Sequence, residues 1–430
     1  MLFAKKNRVV LKPPMGWNSW DCFAANVTEQ ELLANAKIMA EKLAKFGWEY
    51  VVCDIQWSEP LAGTENVTYR DFADLTIDEY GRQMPAVNRF PSAADGKGFK
   101  DIADKIHAMG LKFGIHIMRG IPRKAVELNC PVIGTDVRAR DVADPFSICQ
   151  WNGDMYGVKD TPEGQKYYDS IFALYASWGV DFVKVDDIAH EHLYPDHPYG
   201  EAEVHMIRKA IDNSGRDMVL SLSPGPAVIE KAWQMERDAN MWRITDDFWD
   251  DWKLLKAMFE RCEVWQKHVS PGCFPDCDML PLGRIGTGFR AGRDTNFTRD
   301  EQKTLMTLWC IFKSPLMMGG DLRELDEFTL GLLTNENLIR ANQEGAHPTE
   351  LARDDDHAVW TSEIDGGRYL ALFNLSDSEK EITFDTSELD MQVNKITDAW
   401  TNKEINQANI NNGVIKIEIP AHGAEMIVLQ

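Results

Sequence analysis

The chain has 430 residues, of which 44% are apolar and 27% charged, and its formal net charge at pH 7 is −22. This length exceeds one ordinary domain and suits an α/β barrel followed by a smaller module. The negative charge argues against nucleic acid or an anionic membrane as a partner, and it suits a neutral substrate such as a sugar. Nothing approaches 18 consecutive apolar residues, so no transmembrane helix is predicted.

The N-terminus and the cysteines together predict a cytoplasmic protein. The first 17 residues contain no apolar core of the kind that a secretory signal needs. The eight cysteines are scattered, so the sequence predicts neither a zinc site nor a disulfide framework, and we expect no cofactor. The sequence leaves a homo-oligomer open.

The first two-thirds of the chain alternate short β-rich runs with longer amphipathic helical runs. The predicted strands cover residues 15–20, 48–55, 111–117, 180–186, 217–223, 240–245, 278–283 and 315–320. The first long helical run, residues 28–47, begins with Thr28 and Glu31 in the spacing of a capping box. Eight alternating units predict parallel strands closed into a (β/α)8 TIM barrel, with the active site at the C-terminal ends of the strands.

Two further features complete the predicted architecture. Segments 56–97 and 118–162 follow the second and third strands, so they are expected to be long loops at the mouth of the barrel. Near residue 340 the helical runs stop, and alternating residues surround turn signals such as "DGG" and "SDSE". We therefore predict a catalytic barrel over residues 1–340 and a C-terminal antiparallel β-sandwich over residues 341–430.

The run "DFVKVDD" places two aspartates at the tip of the fourth strand. Because side chains alternate along a strand, Lys184 and Asp186 point the same way, into the barrel mouth, while Asp187 points the other way. A neighbouring lysine holds an aspartate ionised, as a nucleophile must be. Asp186 is therefore the candidate nucleophile and Asp187 a loop cap. The alternative interpretation is a structural buried salt bridge.

A second acidic cluster, "MWRITDDFWDDW" at residues 241–252, follows the sixth strand. Some of its four aspartates are expected to cap the next helix, which is the commonest use of such residues. Arg243 leads into the cluster and is able to clamp a hydroxyl or position a carboxylate. Carboxylates that face each other across a barrel mouth are the apparatus of glycoside hydrolysis.

Tryptophans form a third signal, because aromatic faces bind the apolar face of a sugar ring. Of the 14 tryptophans, Trp17, Trp20 and Trp57 fall at or near predicted strand ends. Core packing is the ordinary role of a tryptophan, but the placement of Trp17 and Trp57 favours sugar binding.

Three other classes of protein remain open on these residues alone. A non-catalytic sugar-binding barrel would keep the tryptophans and lose one carboxylate. A Schiff-base aldolase would use Lys184, but this needs a lowered pKa that a neighbouring aspartate opposes. A metal-dependent enzyme would use Asp54, Asp186 and Asp187 as ligands.

The ordered motifs resemble the α-galactosidase family of retaining glycoside hydrolases, which also contains α-N-acetylgalactosaminidases and β-L-arabinopyranosidases. The matching pieces are "PPMGWNSW", "GWEYVVCDIQW", "GLKFGIH", "DFVKVDD", "MWRITDD", "DCDMLPLG" and "KSPLMMGGDL", in the family's order. They span residues 13 to about 345, with a β module after them as in that family. The resemblance implies hydrolysis of terminal galactose-configured sugars without a metal or organic cofactor.

The resemblance also implies roles for individual residues. Asp186 matches the family's nucleophile, and Asp247, four residues after Arg243, matches its acid/base. The implied contacts to the sugar are Trp17, Asp54, Lys184, Arg243 and Asp278, with Trp57 nearby. In the implied mechanism Asp186 attacks the anomeric carbon while Asp247 protonates the leaving oxygen, and Asp247 then activates water.

The chain departs from the family at the end of the second strand, where it reads Asp54-Ile55-Gln56-Trp57. A second aspartate, which binds the 6-hydroxyl of galactose in the family, is replaced by Ile55. Losing a hydrogen bond to a charged group costs about 1.5–3 kcal/mol. L-Arabinopyranose is galactose without that carbon, so we hypothesise a preference for β-L-arabinopyranosides or tolerance of both sugars. The alternative is a loop residue that replaces the aspartate.

Three further departures concern the rest of the site. Ser223 stands where galactosidases of the family have a glutamate for the 2-hydroxyl, and serine occurs there in the N-acetylgalactosaminidases. Pro226 stands where those enzymes have alanine, so the 2-substituent stays open. His116 replaces a tyrosine after the third strand. Gln56 and Ile188 replace disulfide cysteines, in agreement with a cytoplasmic enzyme.

Overall fold

Eight parallel strands form the first part of the chain. The computed structural model describes residues 5–64, 68–189, 200–289, 291–389, 391–405, 410–411 and 413–430. The strands are β1 Met15–Asn18, β2 Tyr50–Cys53, β3 Lys112–Met118, β4 Phe182–Asp186, β5 Val219–Ser223, β6 Met241–Arg243, β7 Phe274–Asp276 and β8 Leu316–Met318. They pair in the order β7-β6-β5-β4-β3-β2-β1-β8. A parallel bridge between Leu280 and Met318 joins the two edges of this sheet.

A helix follows each strand and covers the outside of the barrel. These helices are α1 Glu29–Lys42, α2 Lys100–Ala108, α3 Pro162–Trp178, α4 Glu201–Ser214, α5 Ala232–Asp238, α6 Trp252–Trp265, α7 Arg299–Phe312 and α8 Glu336–Glu344. The predicted capping box is present at α1, where Thr28 Oγ1 accepts from the Glu31 N–H and Glu31 accepts from the Thr28 N–H. The predicted (β/α)8 fold is confirmed.

The predicted position of the seventh strand was wrong. The sequence pattern favoured residues 278–283, but the strand is β7, Phe274–Asp276, in register with β6 from Phe274 beside Met241 to Asp276 beside Arg243. This strand is three residues long and contains Pro275, so it lacks an apolar β signature. Residues 278–283 are apolar for another reason, because Leu280 and Leu282 are buried where the barrel closes.

Shorter elements complete the barrel part of the chain. After β3, an antiparallel sheet of Ile121–Pro122, Ala143–Ile148 and Met155–Val158 is accompanied by the helices Arg123–Leu128 and Ala139–Val142. The remaining short elements are the helices Lys5–Val9, Trp20–Phe23 and Glu327–Leu333 and the paired strands Arg284–Ile285 and Arg293–Asp294. The long segments after β2 and β3 contribute Tyr69 and Trp151 beside the C-terminal ends of the strands, as predicted.

The C-terminal part is antiparallel. Its strands are β9 Ala346–Arg353, β10 His357–Ile364, β11 Gly367–Asn374, β12 Lys380–Asp385, β13 Ile396–Asp398, β14 Ile410–Asn411, β15 Val414–Ile419 and β16 Ala424–Leu429. One sheet has the order β9-β10-β11-β16-β13 and the other β12-β15-β14. Alternate apolar side chains of the two sheets, including Leu370, Leu372, Ile382 and Phe384, form one core. The predicted β-sandwich is confirmed.

The other face of the first sheet packs on the barrel. The rings of Phe373 in β11 and Phe259 in α6 lie 4.9 Å apart, and those of Trp360 in β10 and Phe312 in α7 lie 6.1 Å apart. These aromatic contacts bury an apolar surface that neither part would cover alone. Separately, none of the helices in the described residues is both long and apolar enough to cross a membrane.

Candidate active site

A cavity of about 320 Å³ opens at the C-terminal ends of the barrel strands. Residues from seven of the eight strand ends and from the long loops line it: Trp20, Asp21, Asp54, Ile55, Tyr69, His116, Trp151, Lys184, Asp186, Asp187, Pro224, Gly225, Arg243, Asp246, Asp247, Phe248, Trp249, Asp278 and Met279. This is the face on which barrel enzymes carry their active sites.

Asp186, the last residue of β4, faces this cavity together with Lys184. Its Oδ1 accepts a hydrogen bond of 2.8 Å from the Asp187 N–H, and its Oδ2 lies 3.3 Å from His116 Nε2. Burial raises the pKa of Asp186, but interactions with His116, Arg243 and Lys184 outweigh it and lower the pKa below its ordinary value. Asp186 is therefore an ionised carboxylate at neutral pH.

His116 in β3 bridges two carboxylates. Its Nδ1 lies 2.7 Å from Asp54 Oδ2, and its Nε2 makes the charge contact with Asp186, which is not aligned as a hydrogen bond. Burial lowers the pKa of His116, but Asp54 outweighs this and raises it. Burial likewise raises the pKa of Asp54, and His116 and Lys184 overcome it, to about 2. The sequence showed only that a family tyrosine is absent here, whereas the bridge depends on three strands meeting in space.

Lys184 is buried in the centre of the site, and burial lowers its pKa. The carboxylates of Asp54 and Asp278 outweigh this and raise the pKa above its ordinary value. Lys184 therefore stays an ammonium ion. A Schiff-base aldolase needs a lysine that loses its proton readily, so the structure counts against that alternative.

Asp187 follows β4 and lines the cavity too, but its carboxylate pairs with a buried arginine. Its backbone has a φ of 54°, and its Oδ2 lies 3.1 Å from Arg119 Nη2. Arg119 is itself buried and binds Glu203 Oε2 at 2.7 Å. Asp187 is thus part of a buried ion-pair network and not the loop cap that we expected. Within the described residues no group of His, Cys, Asp and Glu is arranged to hold a metal ion.

Arg243, the last residue of β6, connects the acidic residues of the opposite wall. Its Nη1 donates to Asp247 Oδ1 at 2.7 Å and to Asp278 Oδ2 at 3.4 Å. Burial lowers the pKa of Arg243, but Asp278, Asp247 and Asp186 raise it further. Asp278 Oδ2 also accepts from the Phe248 N–H at 2.9 Å. The Asp247 side chain is 60% exposed, so solvent can reach it.

The other aspartates of the 241–252 cluster have local structural contacts. Asp251 Oδ1 accepts from the Lys253 N–H at 2.8 Å and caps α6, as expected for part of the cluster. Asp250 binds Arg293 Nη2 at 2.8 Å. Asp246 Oδ1 accepts from the Asp247 N–H at 2.9 Å. These contacts leave Asp247 as the member that Arg243 directs toward the cavity.

The structure places neither Trp17 nor Trp57 in the cavity. Trp17 is fully buried, and its Nε1 donates to the Gly320 carbonyl at 2.9 Å. Trp57 Nε1 donates to the His116 carbonyl at 2.9 Å, and its ring packs edge-on against Phe99. Both expected sugar contacts are therefore core residues. Trp20, Trp151 and Trp249 line the cavity instead.

Ser223 and Ile55 also have clear positions. Ser223 is buried at the end of β5 and does not line the cavity, where its neighbours Pro224 and Gly225 are found instead. Ile55 is 2% exposed, lines the cavity and packs in a small apolar cluster with Met118 and Met155. The expected contact from Ser223 thus lacks direct access, while Ile55 faces the site.

Sequence reasoning missed two carboxyl groups next to this site, Asp21 and Asp276. Asp276 Oδ1 accepts from the Asp278 N–H at 2.9 Å, and burial together with Asp278 raises its pKa to about 7. Asp21 is buried and lines the cavity. Asp21 follows the "GWNSW" motif directly, and Asp276 precedes Asp278 by two residues, so the strand period was the available signal for Asp276.

Comparison with known proteins gives the class of this site. The family model for alpha galactosidase A matches residues 148–344, and that for the alpha galactosidase C-terminal beta sandwich domain matches residues 354–429. The alpha-galactosidase of Coffea arabica is 28% identical over 98% of this chain and 95% of its own length. A barrel with facing aspartates and these matches define a glycoside hydrolase.

Two solved structures are more similar. A β-L-arabinopyranosidase of glycoside hydrolase family 27 from Geobacillus stearothermophilus is 52% identical, with a TM-score of 0.94 over 99% of this chain and 98% of its own. A proposed α-N-acetylgalactosaminidase from Bacillus halodurans is 50% identical, with a TM-score of 0.86 over 97% of each chain. The chain belongs to the α-galactosidase family of retaining glycoside hydrolases, family 27, as the sequence motifs predicted.

Proposed function

We propose that this enzyme removes terminal galactose-configured sugars by double displacement, with Asp186 as the nucleophile, Asp247 as the acid/base and a preference for β-L-arabinopyranosides. The observation that carries the preference is Ile55, which lies in the cavity at the end of β2. The observation that supports the mechanism is Arg243, whose charge acts on Asp186 and whose Nη1 contacts Asp247.

The nucleophile must be ionised and must lie deep in the site. Asp186 meets both conditions, since its side chain is 19% exposed and its pKa is lowered by His116 against the effect of burial. As Asp186 attacks the anomeric carbon, its negative charge is consumed in the ester bond of the glycosyl-enzyme. The positive charges of His116 and Lys184 are then balanced by one carboxylate fewer. They therefore favour the return of Asp186 to a carboxylate when it leaves the sugar in the second step.

The acid/base residue must donate a proton to the leaving oxygen in the first step and take a proton from water in the second. Asp247 shares Arg243 with Asp278, and the charge of Asp186 also acts on Arg243. While Asp186 is ionised, Arg243 interacts with the carboxylates of Asp186, Asp247 and Asp278. Once Asp186 is esterified, Arg243 still holds Asp247 at the cavity, where its carboxylate can take a proton from the attacking water.

The wall formed by Ile55 supports the substrate preference. A hydroxymethyl group would bring a hydroxyl against an apolar cluster that contains Ile55, Met118 and Met155, and it would find no acceptor there. A ring without that group contacts the same wall without burying an unpaired hydroxyl, which costs about 1–3 kcal/mol. The resulting discrimination is roughly 5- to 150-fold.

The alternative, a loop carboxylate in place of the missing aspartate, has less support. Within the described residues the long loops contribute Tyr69 and Trp151 to the cavity and no carboxylate. Asp154, which lies nearby, accepts from Gln56 Nε2 at 2.6 Å and from the Ala73 N–H at 2.6 Å. Asp71 Oδ1 accepts from the Gly153 N–H at 2.5 Å.

Initial rates on three aryl glycosides test the proposal: the β-L-arabinopyranoside, the α-D-galactopyranoside and the N-acetyl-α-D-galactosaminide. We expect the arabinopyranoside to lead in kcat/KM, and Ile55→Asp to reverse the order of the first two. Ile55→Val is the matched control, because it keeps an apolar wall and should keep the order. A galactoside lead in the wild type would contradict the preference, and no turnover of any substrate would contradict the enzyme class.

A second candidate is α-N-acetylgalactosaminidase activity. Its support is the absence of the family glutamate at Ser223 and the small residue Gly225 at the cavity wall, where a Cβ would meet nothing within 4 Å. An acetamido group on carbon 2 needs such room. The third aryl glycoside of the same assay distinguishes this activity from the other two.

The cytoplasmic location and the extent of the domains belong to the same proposal. All eight cysteines are buried thiols, and the sulfurs of Cys262 and Cys277 lie 3.5 Å apart without a disulfide bond.

Small glycosides or oligosaccharides are the proposed partners, and light scattering tests for a homo-oligomer. The proposed catalytic domain covers 1–340 and the proposed β-sandwich 341–430, and the change from helices to strands lies a few residues later, between the end of α8 at Glu344 and the start of β9 at Ala346.

A further inference from the structure

Asp21 is a carboxyl group in the cavity that the mechanism above does not use. It follows Trp20 beyond the end of β1, and the residue is 3% exposed. Its Oδ2 is shielded from solvent and has no hydrogen-bond partner among the described residues. A buried polar atom without a partner costs free energy, and native structures contain few of them. A purely structural role therefore leaves Asp21 unexplained.

The backbone opposite Asp21 makes room for its carboxyl group. Gly319 lies directly after β8, and a Cβ at this position would overlap Asp21 Oδ2. Gly319 is not among the glycines with a left-handed backbone, so its conformation does not require glycine. The absence of a side chain at Gly319 instead leaves space for the Asp21 carboxyl at the edge of the cavity.

The charges around Asp21 determine whether its carboxyl group is protonated. In the described part of the site, three basic groups face twice as many carboxyl groups: Lys184, Arg243 and His116 against Asp21, Asp54, Asp186, Asp247, Asp276 and Asp278. Burial and repulsion by Asp278, Asp54 and Asp247 raise the pKa of Asp21 well above its ordinary value, and Lys184 opposes them only in part. The surroundings therefore favour the neutral form of Asp21, whereas they favour the ionised forms of Asp54 and Asp186.

We propose that Asp21 is a specificity-determining residue of the sugar site, whose carboxylic O–H donates a hydrogen bond to a hydroxyl oxygen of the bound sugar. This inference rests on the proposed function. Each sugar hydroxyl both donates and accepts, whereas an ionised carboxylate only accepts. With Asp54 and Asp186 as acceptors in the cavity, a neutral carboxyl supplies a donor without adding another charge.

The test compares Asp21→Asn with Asp21→Ala on the aryl glycoside that the wild type hydrolyses fastest and on its monodeoxy analogues. Asparagine keeps the shape and an N–H donor, so kcat/KM should stay within about threefold of the wild type. Alanine removes the donor, so kcat/KM should fall on the order of tenfold. That loss should vanish for the one analogue that lacks the bonded hydroxyl, which a merely structural role would not produce.

An equal loss on every analogue, or an Asp21→Asn loss as large as that of Asp21→Ala, would overturn the inference. If the wild type is active and Asp21→Ala is equally active, the role of Asp21 is overturned and the proposed function stands. If the wild type hydrolyses none of the glycosides, the proposed function is overturned as well. If Asp21→Ala does not fold, infrared difference spectroscopy decides. The band of a protonated carboxyl that is absent in Asp21→Asn should shift when L-arabinose is added, and an unshifted band would contradict the proposal.

Discussion

Replacement of His116 by asparagine tests how the nucleophile is kept ionised. Asparagine places its amide near the position of Nδ1, so it keeps a donor toward Asp54, which His116 contacts at 2.7 Å. It loses the charge contact of 3.3 Å between Nε2 and Asp186 Oδ2. Because His116 lowers the pKa of Asp186, its removal raises that pKa, and the carboxylate is lost at a higher pH.

The geometry sets the size of the effect. A hydrogen bond to a charged group contributes about 1.5–3 kcal/mol, and the contact here, at 3.3 Å and without hydrogen-bond alignment, should contribute no more than the lower end of that range. Since one pKa unit corresponds to about 1.4 kcal/mol, the pKa of Asp186 should rise by about one unit. The acidic limb of the kcat/KM profile should move to higher pH by the same amount.

The assay is kcat/KM against pH with an activated aryl glycoside, because a good leaving group needs little help from Asp247. His116→Gln is the matched control, since its longer side chain keeps an amide donor close to Asp186 and should shift the limb less. An acidic limb that stays in place in His116→Asn, with an unchanged kcat/KM, would refute the assignment of His116 as the group that holds Asp186 ionised.

Three further predictions follow from the site. Asp186→Asn should abolish turnover in rate assays, because an amide cannot attack the anomeric carbon, and the melting temperature should stay nearly unchanged, because the amide has the same shape. Turnover near the wild-type rate would contradict the assignment of Asp186 as the nucleophile. Asp247→Asn should slow glycosides with poor leaving groups more than activated ones, and equal losses would contradict the acid. Asp54, whose pKa falls from 3.8 to about 2, contributes about 2 kcal/mol of stability above pH 3.8 that is lost as the pH falls toward 2. Melting curves of the wild type and Asp54→Asn should therefore converge at acidic pH, and a constant difference would contradict the pair with His116.

Residue patterns along the chain were sufficient for the architecture, because helices and strands of this barrel are amphipathic or apolar over their own length. The exception is β7, whose three residues include a proline and an aspartate, so its pairing with β6 and not its composition makes it a strand. The period of two along β4 was likewise sufficient to place Lys184 and Asp186 together on the cavity side.

Contacts between distant segments decided the rest of the site. Trp17 and Trp20 lie three residues apart, and only the packing against Gly320 shows that Trp17 belongs to the core while Trp20 lines the cavity. The link from Asp54 through His116 to Asp186 joins three strands, and the room for Asp21 comes from Gly319 at the far end of the barrel sequence. A local sequence determines which way a side chain leaves its own strand, whereas its pKa and its neighbours depend on charges and burial that only the closed barrel brings together.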